Sequence, residues 1–412
     1  MSYRTIDDLA DGQRLLVRLD LNSPVSDGRV RDNRRFARHA RTLRTLVDRD
    51  HAVVVLAHQG RPARETFISL DQHADILAEH LGQRVGFVTD TYGPAAIEAV
   101  RELGPGEVLL LENVRTALDE LADETSPDGH ARSGLVGALA PEVDAYVNDA
   151  YSVAHREHAS LVGFPQVLEA YAGPVMVAEY EANSAIARRS FDGEVTMVAG
   201  GTKVTDVVEV LSALGDRVDN VLLGGIAGEL FLRAMGHDVG RDAGDDDLYA
   251  SQWTANRDRI RRLVDTHPGE LLVPTDLAYE DDGERAEVSV AEARPDADYL
   301  DVGSATARRY ADVAADSAAV FVKGALGVFE DERFSRGTVT VLEAIAACDC
   351  FSVVGGGDTS RAVDMYGLRE TDFSHVSIAG GAYISALTGE PLPGVEALRT
   401  SAGAETCPET QP

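Results

Sequence analysis

The chain has 412 residues, 44% of them apolar, more than one hydrophobic core usually organises, so two domains of roughly 150 to 200 residues are expected. Its 38 basic against 69 acidic residues leave a formal charge of -31, which disfavours nucleic-acid and membrane-surface partners by repelling phosphate backbones and anionic lipid. No apolar run approaches the roughly 18 residues that span a bilayer, and the opening MSYRTIDDLADGQ is polar and acidic, unlike a basic leader, so the expectation is a soluble cytoplasmic chain.

Apolar runs alternate with amphipathic stretches along the sequence, the pattern of an α/β architecture with mostly parallel sheets. In the first half the runs are RLLVRLD from Arg14, HAVVVLA from His51, RVGFVT from Arg84, EVLLLE from Glu107 and DAYVND from Asp144. Between the first two, Phe36, Ala40, Leu43 and Val47 fall on one helical face and predict a helix over Arg34 to Val47. A boundary is expected at 170/171, where GFPQVLEAYAGP gives way to VMVAEYEANSAIARRSF, a helical stretch suited to joining two lobes. In the second half the runs are EVTMVAG from Glu194, NVLLGG from Asn220, ELLVPTD from Glu270, YLDVG from Tyr299, AVFVKG from Ala319, FSVVGGG from Phe351 and HVSIAGG from His375. DAGDDDLYA and EDDGERAE are expected as solvated acidic loops, and the tail SAGAETCPETQP has the composition of a disordered segment.

Most of these runs end in glycine or a polar residue and lead into a helix, the order that places ligands at the carboxyl edge of a parallel sheet. Three glycine-rich turns, GGTKV from Gly200, GGGDTS from Gly355 and AGGA from Ala379, aim backbone N–H groups and positive helix ends at that edge, an anion-binding arrangement. None matches GxxxxGK(S/T) or GxGxxG. Asp358, directly after three glycines, is a candidate for Mg²⁺, which binds through one or two carboxylates plus substrate phosphates. The first half gathers polar and basic residues after its strands: Asp20 and Asn22, Arg35 at a helix start, His58 and Arg61, Arg115, then His155 and Arg156. In so acidic a chain, that clustering suggests a pocket for a small, multiply anionic substrate.

Two residue counts sharpen the picture. Of the 38 basic residues only Lys203 and Lys323 are lysines; a lysine kept in an arginine-filled chain points to a site that needs a compact ammonium. Cysteines number three, Cys348, Cys350 and Cys407, which argues against a disulfide framework and leaves the first two as small residues at the start of an apolar strand.

The series RLDLNSPV, AHQGRP, LLLENVR, DAYVNDAYSVAHREHASLVG, GGTKV, LLGGIAGELF, GALGVFED, VVGGGDTS and LPGVEAL resembles phosphoglycerate kinase in order and spacing over nearly the whole chain. The resemblance implies two Rossmann-like lobes joined by a hinge helix: an acceptor domain over 1–170 with 390–412 packing back on it, and a nucleotide domain over 171–389. It implies reversible phosphoryl transfer between MgATP and the carboxylate of 3-phosphoglycerate, by a monomer acting on small molecules. Asp20, Asn22, Arg35, His58, Arg61, Arg115 and Arg156 then match substrate positions. Gly201, Lys203, Gly225, Glu330, Gly356, Gly357, Asp358 and Thr359 match nucleotide positions, with Mg²⁺ and ATP or ADP as cofactors, Asp358 on the metal and Glu330 facing the ribose. Arg35, Lys203, Gly357 and Gly380 are the expected transition-state contacts, and Glu179 and His375 candidates for an interlobe link. The chain departs from the family pattern at Val207, where many members carry a second lysine, at Lys323 and Ala325 in VKGA, and at Ile378 and Ala379 in SIAGGA. Lys323 is expected to supply the phosphate charge absent at Val207. The departures also leave room for a kinase of another carboxylate or a nucleotide-binding homologue without turnover.

The excess carboxylates predict a salt response, since salt at about 1 M screens charges beyond roughly 3 Å. The melting temperature should rise or hold as KCl is raised to 2 M; a steady fall would reject a high-salt adaptation.

Overall fold

The apolar runs of the first half become strands Arg14–Arg18, Ala52–Leu56, Val85–Phe87, Val108–Leu110 and Ala145–Asn148. Two short strands, Arg4–Thr5 and Ala170–Ala172, complete a seven-stranded sheet in which every pairing is parallel. From one edge the order is Arg4–Thr5, Ala170–Ala172, Ala145–Asn148, Arg14–Arg18, Ala52–Leu56, Val108–Leu110, Val85–Phe87. Every residue of Ala52–Leu56 is buried, which explains its unbroken apolar run: a sheet covered on both faces shows no alternation. The helix Arg34–Val47 buries Phe36, Ala40, Leu43, Leu46 and Val47 in that core. Asn33 caps it by accepting the Arg35 N–H at 2.9 Å, which sets Arg35 in the first turn.

This computed structural model describes residues 3–122, 125–239, 248–294 and 297–403. It divides into two compact units, Met1–Glu181 with Pro391–Pro412, and Ala182–Glu390. The division falls inside the helix Pro174–Asn183, eleven residues beyond the 170/171 boundary expected from sequence. The late helix Pro393–Ser401 belongs to the first unit, where Gly394 donates to the Ala154 carbonyl at 2.8 Å and Arg399 to the Tyr180 hydroxyl at 2.8 Å.

The second unit is built on a six-stranded parallel sheet ordered Leu271–Leu272, Asn220–Leu223, Val195–Ala199, Ala319–Lys323, Phe351–Gly355, His375–Val376. Beside it in sequence, Glu284–Ser289, Asp276–Asp281 and Tyr299–Val302 form an antiparallel sheet. This corrects the reading of EDDGERAE as a loop: Asp282 and Gly283, at φ of 50° and 85°, turn a tight hairpin. The first six residues of DAGDDDLYA lie outside the described residues, as does the tail from Ala404, and Leu248 opens the helix Leu248–Thr266. A second correction concerns Cys348 and Cys350, which are joined by a disulfide. The bend between helix and strand brings their Cα atoms to 5.3 Å, within bridging range.

Asp301 shows how the second unit fixes a loop that the sequence singles out. Its carboxylate accepts from Arg285 Nη1 and from the Gly337 N–H, both at 2.9 Å, and a Cβ at Gly327 would lie 2.3 Å from its Oδ1. Burial pushes its pKa up to about 6 against the hydrogen bonds from Gly337 and Arg285. The segment between Gly327 and Gly337, which carries Glu330, is thereby bonded to Asp301 at its Gly337 end and packed tightly against it at Gly327. No helix among the described residues is long and apolar enough to cross a membrane.

Candidate active site

In the first unit the polar residues after the strands meet at the carboxyl edge of the sheet. Asp20 accepts at Oδ2 from Arg35 Nη1 and at Oδ1 from the Asn22 N–H at 3.1 Å. Arg35 also donates to the Asn22 carbonyl at 3.3 Å, and Asn22 Oδ1 accepts from the Gly60 N–H at 2.8 Å. His58 Nδ1 lies 3.9 Å from Asp20 Oδ1 and 3.2 Å from Arg18 Nη2. Burial alone would raise the Asp20 carboxyl; Arg35, His58 and hydrogen bonds overcome it and hold the group well below the usual carboxylate range. Burial pushes His58 well below its ordinary value, and Arg18, Arg115 and Arg35 add to that against the pull of Asp20, so its imidazole is neutral at pH 7.

Beside this network lies an open pocket of about 550 Å³ lined by Arg61, Arg115, His155, Arg156 and His158, with Glu157 the one acidic lining residue among the described residues. Arg115 is pinned to the Gly60 carbonyl through Nη1, which joins the pocket to the Asp20 network. Among the described residues Arg61 and Arg156 have no side-chain hydrogen bond or ion pair. Burial, then Arg18 and Arg156, lower Arg115 to about 10. Arg156 is lowered by burial and then by Arg61, and His155 is lowered to about 4 by burial, Arg156 and His158. The mutual repulsion of Arg115 with Arg156, and of Arg156 with Arg61, is what a bound anion would relieve, whereas His155 is neutral at pH 7.

Sequence reasoning missed what lies beneath the pocket. Arg18 is fully buried, donates through Nε to Ser160 Oγ at 2.9 Å, and sits 4.0 Å from the fully buried Glu120. Glu120 accepts from the Ser160 N–H at 2.8 Å and from its hydroxyl at 2.7 Å. An arginine in RLLVRLD reads as a strand-end surface residue, because arginine is almost never fully buried without a partner distant in sequence.

In the second unit, register sets Lys323 opposite both Ala199 and Gly355, so the turns after the three central strands lie side by side. Gly200 donates to the Lys323 carbonyl at 2.9 Å, Gly201 to Ala325 at 2.7 Å and Gly225 to Leu326 at 2.9 Å. The approach is close enough to require glycine: at Gly324, φ +86°, a Cβ would lie 2.2 Å from the Gly200 carbonyl oxygen. Thr359 Oγ1 accepts from the Gly324 N–H at 3.2 Å, which ties the GGGDTS turn to the same edge. Gly356 precedes the helix Gly357–Met365 and Gly380 the helix Gly381–Thr388, and Ser360 Oγ donates to the Ser377 carbonyl at 2.8 Å between those segments. Lys203, exposed, precedes the helix Val204–Leu214; Asp358 is exposed in the first turn of Gly357–Met365. Glu330 Oε1 lies 3.2 Å from Arg361 Nη1 in an exposed pair.

The departures from the family pattern have a structural pattern of their own. Val207, Ala325, Ile378 and Ala379 are all buried, so they change the packing behind the edge. Lys323 Nζ lies 3.4 Å from Asp206 Oδ2, one residue before Val207. Glu179, a candidate for an interlobe link or a plain surface position, is fully buried and receives Arg38 at 2.9 Å.

Comparison with known proteins follows this geometry. The family model for phosphoglycerate kinase matches residues 6–390. A phosphoglycerate kinase of Halorubrum lacusprofundi is 63% identical over 404 residues, 98% of this chain and 99% of that protein. One from Haloarcula marismortui is 60% identical over 97% of this chain and all of its own length. Among solved structures, phosphoglycerate kinase from Pyrococcus horikoshii OT3 superposes with a TM-score of 0.90 at 32% identity, covering 97% of this chain and 99% of that one.

The cationic pocket carries a prediction independent of turnover. At fixed KCl, millimolar sulfate should raise the melting temperature of the wild type by preferential binding to the folded state. Arg115→Met combined with Arg156→Met should abolish that rise; an unchanged rise in the double variant would remove the pocket from consideration.

Proposed function

The chain belongs to the phosphoglycerate kinase family, and from that premise we propose that it catalyses reversible transfer of the γ-phosphoryl group of MgATP to the carboxylate of 3-phosphoglycerate. The observation that carries the proposal is the pocket of Arg61, Arg115 and Arg156 in a chain of net charge -31: the scaffold concentrates cations where a substrate phosphate would neutralise them. Asp20, Asn22, Arg35 and His58 form the neighbouring network suited to orienting the rest of the acceptor. The net charge also supports small anions as the ligands of built cationic sites, over nucleic acid or membrane, and the reading includes a monomer in the cytoplasm.

The nucleophile is a carboxylate oxygen. With a pKa near 4 it is ionised at pH 7, so no general base is needed, and the barrier must fall through positioning and charge. In the forward step a bond forms from that oxygen to the γ-phosphorus and the bond to the β-bridging oxygen breaks, leaving ADP and an acyl phosphate. Lys203 and Arg35 would neutralise the equatorial oxygens in transit, while the helix ends at Gly357 and Gly380 would offer N–H donors. Gly201, Gly225, Gly356, Thr359 and Lys323 would line the nucleotide, with Glu330 toward the ribose. Among the described residues no group of three carboxylate, histidine or cysteine side chains could hold a metal alone. That fits Mg²⁺ held by the exposed Asp358 together with nucleotide phosphates, where it would neutralise charge on the transferring group.

Arg61→Ala, Arg115→Ala and Arg156→Ala should each raise the KM for 3-phosphoglycerate by about 10- to 150-fold, the loss of one charge-assisted contact of about 1.5 to 3 kcal/mol, with little change for ATP. Lys203→Met should lower kcat by about 10² to 10³ while ATP still binds. Wild-type KM in all three arginine variants would overturn the acceptor assignment.

A further inference from the structure

One buried carboxylate in the first unit is used by none of the chemistry above, yet it gathers three segments. Asp149 and His39 are both fully buried. Asp149 Oδ2 receives His39 Nδ1 at 3.0 Å and Thr42 Oγ1 at 2.7 Å, both from the helix that begins with Arg34 and Arg35. Its other oxygen accepts the Val175 and Met176 N–H groups at 2.8 and 3.1 Å, the first turn of Pro174–Asn183, along which the chain passes into the second unit. The fit is tight: a Cβ at Gly173 would lie 2.2 Å from Asp149 Oδ1.

His39 extends the network to the acceptor residues. Its Nε2 accepts the Asp20 backbone N–H at 3.3 Å. An accepting Nε2 fixes the proton on Nδ1, where Asp149 receives it, so the imidazole is neutral in a single tautomer. Asp20 is thus held twice by one helix: through its backbone by His39 and through its carboxylate by Arg35, four residues earlier on the same face.

We propose that His39 and Asp149 are positioning residues for the acceptor site: Asp149 selects the His39 tautomer that holds the Asp20 loop, and ties that loop to the first turn of Pro174–Asn183. The proposal rests on the acceptor reading above only for its kinetic consequence. Asp149→Asn can still cap the helix through its carbonyl oxygen, but its amide presents N–H to His39 Nδ1. The ring must then accept at Nδ1 and carry its proton on Nε2, facing the Asp20 N–H donor to donor.

The test is made on the full-length protein. Nitrogen NMR of labelled histidine, with the His39 signals identified by their loss in His39→Asn, should show a neutral Nδ1–H ring in the wild type and Nε2–H in Asp149→Asn. The KM for 3-phosphoglycerate should rise about tenfold in Asp149→Asn, the scale of one hydrogen bond, with the KM for ATP within about twofold. His39→Asn replaces only the Nδ1 donor and should match it; His39→Gln replaces the Nε2 acceptor and should stay within about threefold of wild type. This pair decides the matter if Asp149→Asn does not fold. A wild-type His39 that is charged or protonated on Nε2 at pH 7 overturns the proposal, as does His39→Asn with an unchanged KM. The tautomer needs no substrate, so a failed acceptor assignment would leave the NMR result standing while both kinetic differences vanished.

Discussion

Arg61, Arg115 and Arg156 repel one another, and much of the first unit can be understood as the scaffold that holds them together against that repulsion. Each guanidinium follows a different strand or turn of the parallel sheet, so the backbone, through its buried valine and leucine runs, sets their separation. Arg115 is pinned by a backbone carbonyl, and beneath it the buried Arg18 is balanced by Glu120 through Ser160. Breaking a buried pair of this kind costs about 3 to 5 kcal/mol, because the remaining charge has nowhere to go. The Arg18 and Glu120 pair therefore supports the pocket from below while its rim stays open to an anion.

The second unit meets a related demand with backbone in place of side chains. Three glycine-rich turns are laid edge to edge by strand register, and glycine is required because carbonyls and N–H groups approach more closely than any Cβ allows. Only two lysines are added there, and both sit at this edge. Lys323 lies beside Asp206, whereas Val207 points into the core; a lysine at 207 could reach the edge only by extending its stem past buried neighbours.

Most of the parallel strands were legible in the sequence because burial on both faces writes them as continuous apolar runs, and the helix Arg34–Val47 because one face alone is buried. The hairpin Asp276–Ser289 was not: its strands are rich in acidic residues and mostly half-buried or exposed, and the charge outweighed the Asp-Gly turn that marks it. Arg4–Thr5 and Ala170–Ala172 are no longer than Val85–Phe87 or Val108–Leu110 but lack the longer apolar runs that made those two legible. At the site, residue types after strands identified Arg61, Arg115 and Arg156. What sequence could not show is the depth of Arg18, Glu120, His39 and Asp149, since these polar residues are buried through partners 40 to 142 positions away.

The central claim is that the first unit's arginine pocket takes the phosphate of the acceptor. Titrating 3-phosphoglycerate into protein labelled at arginine nitrogen, with signals assigned by single substitution, tests it most directly. The account predicts saturable shifts of the Arg61, Arg115 and Arg156 side chains at one common dissociation constant, with Arg361 in the second unit unmoved. Saturable shifts at Arg361 with the three pocket arginines unchanged would contradict it.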